Sequence, residues 1–140
     1  LRTAGVANID EYNRNAEKKL YRIVFACDEI AEVLDKTGLS KQQKDEILKI
    51  ESELSIIARQ GRAFGIHLVL ATQRPDATIL NGQIRNNIDT RICGRADNVL
   101  SQIILDNTDA SDKIAKSSQG RFLTNSGKIF QAYWFDENIL

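Results

Sequence analysis

RIVFACDEIAEVL, residues 22–34, is the stretch on which the fold turns. Ile23, Val24, Phe25 and Ala26 run without a polar break into Cys27. A continuous apolar run, rather than an alternating one, predicts a strand buried on both faces, as in a parallel sheet covered by helices. The run stops at two adjacent carboxylates, Asp28 and Glu29, and a helical pattern over residues 29–36 follows, ending at Gly38. Two readings of the acids compete. An aspartate at a helix start accepts backbone N–H bonds, and a glutamate in the first turn favours the helix dipole. Alternatively the pair is a Walker B site, with the aspartate on Mg²⁺ and the glutamate orienting or deprotonating an attacking water.

Working outward, Asn8 is placed to cap a short helix over residues 8–18. Ser40 with Gln43 three residues on forms a capping box. Ile47, Ile50, Leu54 and Ile57 then recur at helical spacing, with small Ala58 beside them, and this long helix ends near Gly61–Gly65. A second continuous run, Ile66–Ala71, predicts another fully buried strand. Strand, helix, strand is a βαβ unit, so both strands point the same way. Their carboxyl ends, Asp28-Glu29 and Thr72-Gln73, then share the edge where open α/β sheets bind ligands. Pro75 turns the chain and holds Arg74 extended. A short helix over 79–86, a third strand over 88–93 and a helix capped by Asp97 and carrying Val99, Leu100, Ile103 and Ile104 come next. A looser helical piece spans 109–116, and 120–124 with 128–135 around Asn125-Ser126-Gly127 reads as a β-hairpin.

The 140 residues are one domain's worth, and 42% hydrophobic with 27% charged residues is ordinary globular composition. No apolar run approaches the ~18 residues of a membrane span and no leader is visible, so the segment is expected to be soluble. A start at Leu1 and the lack of any Met lead us to expect a piece of a longer protein. Cys27 and Cys93 have no second Cys or His at ligand spacing and read as packed, reduced thiols. His67, between Ile66 and Leu68, reads as a structural histidine. The 19 basic and 19 acidic residues cancel, but residues 59–95 hold six arginines, no lysine and only Asp76 and Asp89. Arginine's planar fork suits phosphate and carboxylate, which points this segment toward anion handling.

RAFGIHLVLATQRP, residues 62–75, together with four other strings, resembles the motor domain of the FtsK/SpoIIIE family. AGVANIDEYN (4–13) is similar to its AGVRNIxxYN segment and IVFACDE to its Walker B strand. ILNGQIRNNIDTRICGR (79–95) is similar to its N-I-x-T-R-I pattern, and SQIILD (101–106) to its S-x-x-I-L-D. The five matches fall in order over about 120 residues, about one domain. The resemblance implies an α/β fold with a three-layer RecA-like P-loop NTPase core, a mostly parallel sheet with helices on both faces, truncated before the Walker B strand and closed by a C-terminal β-hairpin.

It also implies an ATP-driven motor that assembles as a homo-oligomeric ring, usually a hexamer, and moves DNA. Asp28 would bind Mg²⁺ through water and so help hold ATP, and Glu29 would be the catalytic base. Thr72 and Gln73 would sense the γ-phosphate. Arg62 would reach the ATP of a neighbouring subunit, its alternative being a solvated helix-end arginine. Arg91 and Arg95 would face the subunit interface or form ordinary salt bridges.

The sequence departs from the family in two ways. No G-x-x-x-x-G-K-[ST] phosphate loop occurs, so residues 1–140 are read as the C-terminal portion of one ATPase domain, inactive by itself. Gln119-Gly120-Arg121-Phe122-Leu123 stands where the family has Gly-x-Gly-Asp and an apolar run. The expected function is DNA translocation in chromosome segregation or conjugative transfer, with the conjugative kind favoured. The alternatives are a ring ATPase energising type VII-like protein secretion and a non-catalytic assembly fragment. A cytoplasmic location is expected, the parent being anchored at the inner membrane's cytoplasmic face.

Overall fold

The computed structural model of the chain describes residues 1–73 and 82–133. They fall into two compact units, the first built from residues 1–73 with 82–88 and the second from 89–133.

In the first unit, α1 (Ile9–Asn15) precedes β1 (Ile23–Cys27), α2 (Ile30–Leu34), α3 (Lys41–Phe64), β2 (Ile66–Leu70) and α4 (Gly82–Asn86). Asn8 caps α1, its Oδ1 accepting from the Glu11 amide at 2.8 Å. Ser40 and Gln43 close the expected capping box on α3. β1 and β2 pair in parallel, from Ile23 opposite Ile66 to Cys27 opposite Leu70, as the βαβ reading requires. Ile30, Leu34, Leu54 and Ile84 form the core, with Cys27, Ile47, Leu68, Leu70 and Ile88 packed against it.

Two glycines let α3 meet the strand that follows it. Gly61 is inside the helix rather than at its end, and a Cβ there would lie 2.8 Å from the Ile66 carbonyl oxygen. Gly65 ends the helix in the left-handed region at φ 76°, where a Cβ would also meet Ile9 Cδ1 at 2.5 Å. The AGV-type segment and the GIHLVLATQRP string are thus locked together by Ile9 against Gly65.

Three expectations need correction here. β1 is not buried on both faces: Ile23, Val24 and Phe25 are 59, 63 and 48% exposed, because among the described residues β1 pairs only with β2. β2 is half-buried and leaves Val69 exposed. Ile50, assigned to the inner face of α3, is exposed, and that face instead buries Glu51, whose carboxylate accepts a 2.6 Å bond from Lys36 Nζ. The pair satisfies a charge that burial would otherwise penalise.

The second unit holds β3 (Ile92–Cys93), α5 (Asn98–Leu105), α6 (Asp109–Lys113), β4 (Arg121–Thr124) and β5 (Ile129–Gln131). The third strand is shorter than expected, and it pairs antiparallel with β4 of the hairpin. Ile88, placed in that strand by sequence, packs on the first unit's core instead. Asp97 caps α5 as expected, accepting from the Leu100 amide at 2.8 Å. The hairpin turns at Gly127, φ 82°, and stacks Phe122 on Phe130 with centroids 5.7 Å apart. Cys93, Leu105, Ala110, Ile114 and Leu123 form its core. Arg74, Pro75, residues 79–81 of the expected helix and the hairpin's end beyond residue 133 lie outside the described residues.

Candidate functional site

The carboxyl ends of β1 and β2 are held together beyond the last paired residues. The Ala71 amide donates to the Cys27 carbonyl at 2.8 Å, and the Ile30 amide donates to the Ala71 carbonyl at 2.9 Å. One residue of β2's extension therefore brackets two residues of the β1–α2 junction, and Asp28 and Glu29 loop out between those two bonds. The apolar run and the acid pair are linked physically in this way: the ladder fixes where the acids emerge.

The two acids behave differently. Asp28 is exposed, and its carboxylate has no hydrogen-bond partner among the described residues. Glu29 is half-buried and is the N-cap of α2, accepting from the Ala31 amide at 3.3 Å. The cap is therefore Glu29, not Asp28. Its carboxylate also accepts from the Thr72 hydroxyl at Oε1 and from the Gln73 amide at 2.9 Å at Oε2. The structure thus brings together Asp28, Glu29, Thr72 and Gln73, four of the five site residues expected from sequence. Gln73 takes part through its backbone, a contribution that no side-chain pattern could have signalled.

Asp28 offers a hard oxygen donor suited to Mg²⁺. Among the described residues no group of three or more His, Cys, Asp or Glu could hold a metal. Mg²⁺ needs no such cage, since it keeps waters and takes phosphate oxygens beside one or two carboxylates.

Arg62 lies elsewhere. It is on the last turn of α3, at the opposite end of the strands, about 20 Å from the carboxylates by six residues of strand rise. There it lines a cleft of about 740 Å³ with Asn8, Asp10, Arg22, Arg59 and His67. Arg22 bonds Asp10 at 2.6 Å, and its Nη1 lies 3.4 Å from His67 Nε2. His67 is therefore half-buried at a polar cleft rather than enclosed in the core. Arg22 and His67 are 45 residues apart in sequence, and only the parallel register brings them together.

The other arginine expectations resolve within the second unit. Arg91 Nη2 donates to Asp106 Oδ2 at 2.6 Å, joining the N-I-x-T-R-I-like string to the S-x-x-I-L-D-like one. Arg95 donates to the carbonyls of Ser111 and Ile114. Ser101, fully buried, donates to the Asn107 carbonyl at 2.7 Å and accepts from the Ala110 amide at 3.1 Å. These strings carry packing and hydrogen-bonding roles. Burial raises the Cys93 thiol above the ordinary value, in keeping with a packed thiol.

A parallel strand pair with an acid pair looped out at its carboxyl edge, followed by an antiparallel hairpin, is a mixed α/β fold matching the P-loop ATPase domains of FtsK-like proteins. The chain is 34% identical over 131 residues, 92% of its length, to the DNA translocase FtsK of Chlorobaculum tepidum. It belongs to the FtsK family of DNA translocases. Among solved structures, the pCW3 conjugation coupling protein TcpA, in its monomer form with ATPgS, matches 99% of the chain at 42% identity and a TM-score of 0.88. The cytoplasmic domain of the type VII secretion ATPase EccC of Thermomonospora curvata matches 97% of it at 22% identity and 0.72, a likeness of fold. No protein-family model matches. The chain spans 15% of the Chlorobaculum protein's length and 40% of the TcpA chain.

Proposed function

We propose that residues 1–140 are the C-terminal portion of one ATPase domain in a ring-forming, ATP-driven DNA translocase, from the Walker B strand onward. The reading is supported by Asp28 and Glu29 looped out at the carboxyl edge of β1 in a chain of this family. The conjugative kind is favoured over the secretion kind, because the neighbour at 42% identity is a conjugation coupling protein while the EccC likeness is one of fold. The exposed apolar β1 fits a strand that a larger sheet covers, with the phosphate loop supplied from outside these residues.

In this reading Asp28 would hold Mg²⁺ through water, and the metal would supply charge neutralisation to the phosphates. Glu29 accepts a proton from a water whose oxygen bonds the γ-phosphorus, while the bond to the β,γ-bridging oxygen breaks and its electron pair leaves with ADP. Thr72 and Gln73 respond to the γ-phosphate from the neighbouring strand end. Arg62, remote from its own chain's carboxylates, serves the nucleotide of an adjacent subunit. The chain by itself hydrolyses no ATP, and the complete protein works as a hexamer on the cytoplasmic side of a membrane. Among the described residues, no helix is long and apolar enough to cross a membrane.

The test is the complete protein with linear duplex DNA carrying a bound roadblock protein. DNA-stimulated ATP hydrolysis with displacement of the roadblock is expected. Hydrolysis that ignores DNA and displaces nothing would overturn the motor reading.

A further inference from the structure

We propose that Thr72 is a positioning residue for Glu29: its hydroxyl holds the carboxylate in a resting arrangement, and it releases Glu29 when it donates to phosphate instead. This rests on the reading of Asp28 and Glu29 as an ATPase site. A carboxylate offers about four lone-pair positions. Glu29 commits Oε1 to the Ala31 amide and the Thr72 hydroxyl, and Oε2 to the Gln73 amide. One of these donors belongs to its own helix and two belong to the end of β2. A general base needs a lone pair directed at its water, and the two donors on Oε1 leave that oxygen none. Asp28, looped out between the same two backbone bonds, is exposed, and its carboxylate has no partner among the described residues.

The threonine side chain carries a single O–H proton. Donation to Glu29 and donation to a phosphate oxygen at the same edge are therefore mutually exclusive. A γ-phosphate placed at the carboxyl ends of the strands would draw the hydroxyl away from Oε1 and free that oxygen for water. The Ala31 bond would remain, so Glu29 would keep its place at the start of α2 while one lone pair of Oε1 turns from Thr72 to the water. Base release is then coupled to the arrival of the phosphate that is to be attacked. This role for Thr72 acts through Glu29 and differs from nucleotide affinity.

The experiment compares Thr72→Val, Thr72→Ala and Thr72→Ser in the complete protein, measuring ATP turnover with and without DNA. Losing the donor should raise DNA-free kcat by roughly ten- to a hundredfold, the worth of one hydrogen bond to a charged group, with the KM for ATP little changed. The ratio of DNA-stimulated to DNA-free turnover should shrink accordingly. Thr72→Ser, which keeps the O–H, should stay near wild type, and two donorless variants guard against one that fails to fold. A raised KM with unchanged kcat, or a fall in kcat in both donorless variants, would overturn the proposal. Glu29→Gln run alongside separates the two failures: turnover surviving in that variant would count against the ATPase-site reading itself.

Discussion

The amide of Gln73 lies 2.9 Å from Oε2 of Glu29, across the ends of two parallel strands. With the Thr72 hydroxyl on Oε1, it makes one carboxylate the tie between the β1–α2 junction and the end of β2. The cap and the catalytic readings of the acid pair are therefore not exclusive. Glu29 caps α2 and also stands where the base of the proposed site belongs, while neighbouring Asp28 is left exposed for a cation. The division of labour follows from the two bonds at Ala71 that loop both residues out.

Gly65→Ala should destabilise the first unit by more than about 1 kcal/mol. A β-carbon there would have to adopt a left-handed φ of 76° and would meet Ile9 Cδ1 at 2.5 Å. Denaturant unfolding of the protein, read at equal m-values, checks this. A Gly65→Ala protein as stable as wild type would show that Ile9 and the AGV-type segment do not depend on that close approach.

Much of this was legible in the sequence because it rests on local chemistry. The Ser40–Gln43 box, the Asn8 and Asp97 caps and the Gly127 hairpin turn all depend on residues a few positions apart. The shared strand edge was legible too, since parallel strands must end on the same side. What failed was whatever depends on covering surface. An apolar run such as Ile23–Ala26 records that a strand is suited to burial, not that these residues supply the cover. The Lys36–Glu51 pair was missed because its partners are 15 residues apart, one in the loop between α2 and α3 and the other on α3. The Gln73 amide was missed because a backbone donor leaves no trace in residue type.

Cys93 gives a pH dependence whose sign follows from its burial. Its folded thiol is raised above the ordinary value, so the folded state keeps a proton that the unfolded state gives up. The stabilising contribution is complete below the unfolded thiol's pKa and is lost as pH rises through the folded value. Unfolding free energy should therefore decline above about pH 8.5, by at most about 1.4 kcal/mol per pH unit from this group. Urea titrations between pH 7 and 10 should show a shallower decline in Cys93→Ala, and an identical slope would refute the assignment.

Arg62→Ala subunits mixed with wild-type ones should depress ATP turnover more steeply than their fraction in the ring. That follows if Arg62 serves a neighbouring site from the far end of the strands. A loss linear in the mutant fraction would instead mark Arg62 as a residue of its own subunit's cleft, acting with Arg22 and Arg59.

The most direct measurement is ATP turnover and nucleotide binding by the complete protein carrying Glu29→Gln. The amide keeps an oxygen for the Ala31 and Thr72 donors, gives up the acceptor facing the Gln73 amide, and is a far poorer proton acceptor. Hydrolysis should fall by about 10²–10⁴-fold while ATP stays bound. Turnover within twofold of wild type would contradict the assignment of Glu29 as the base.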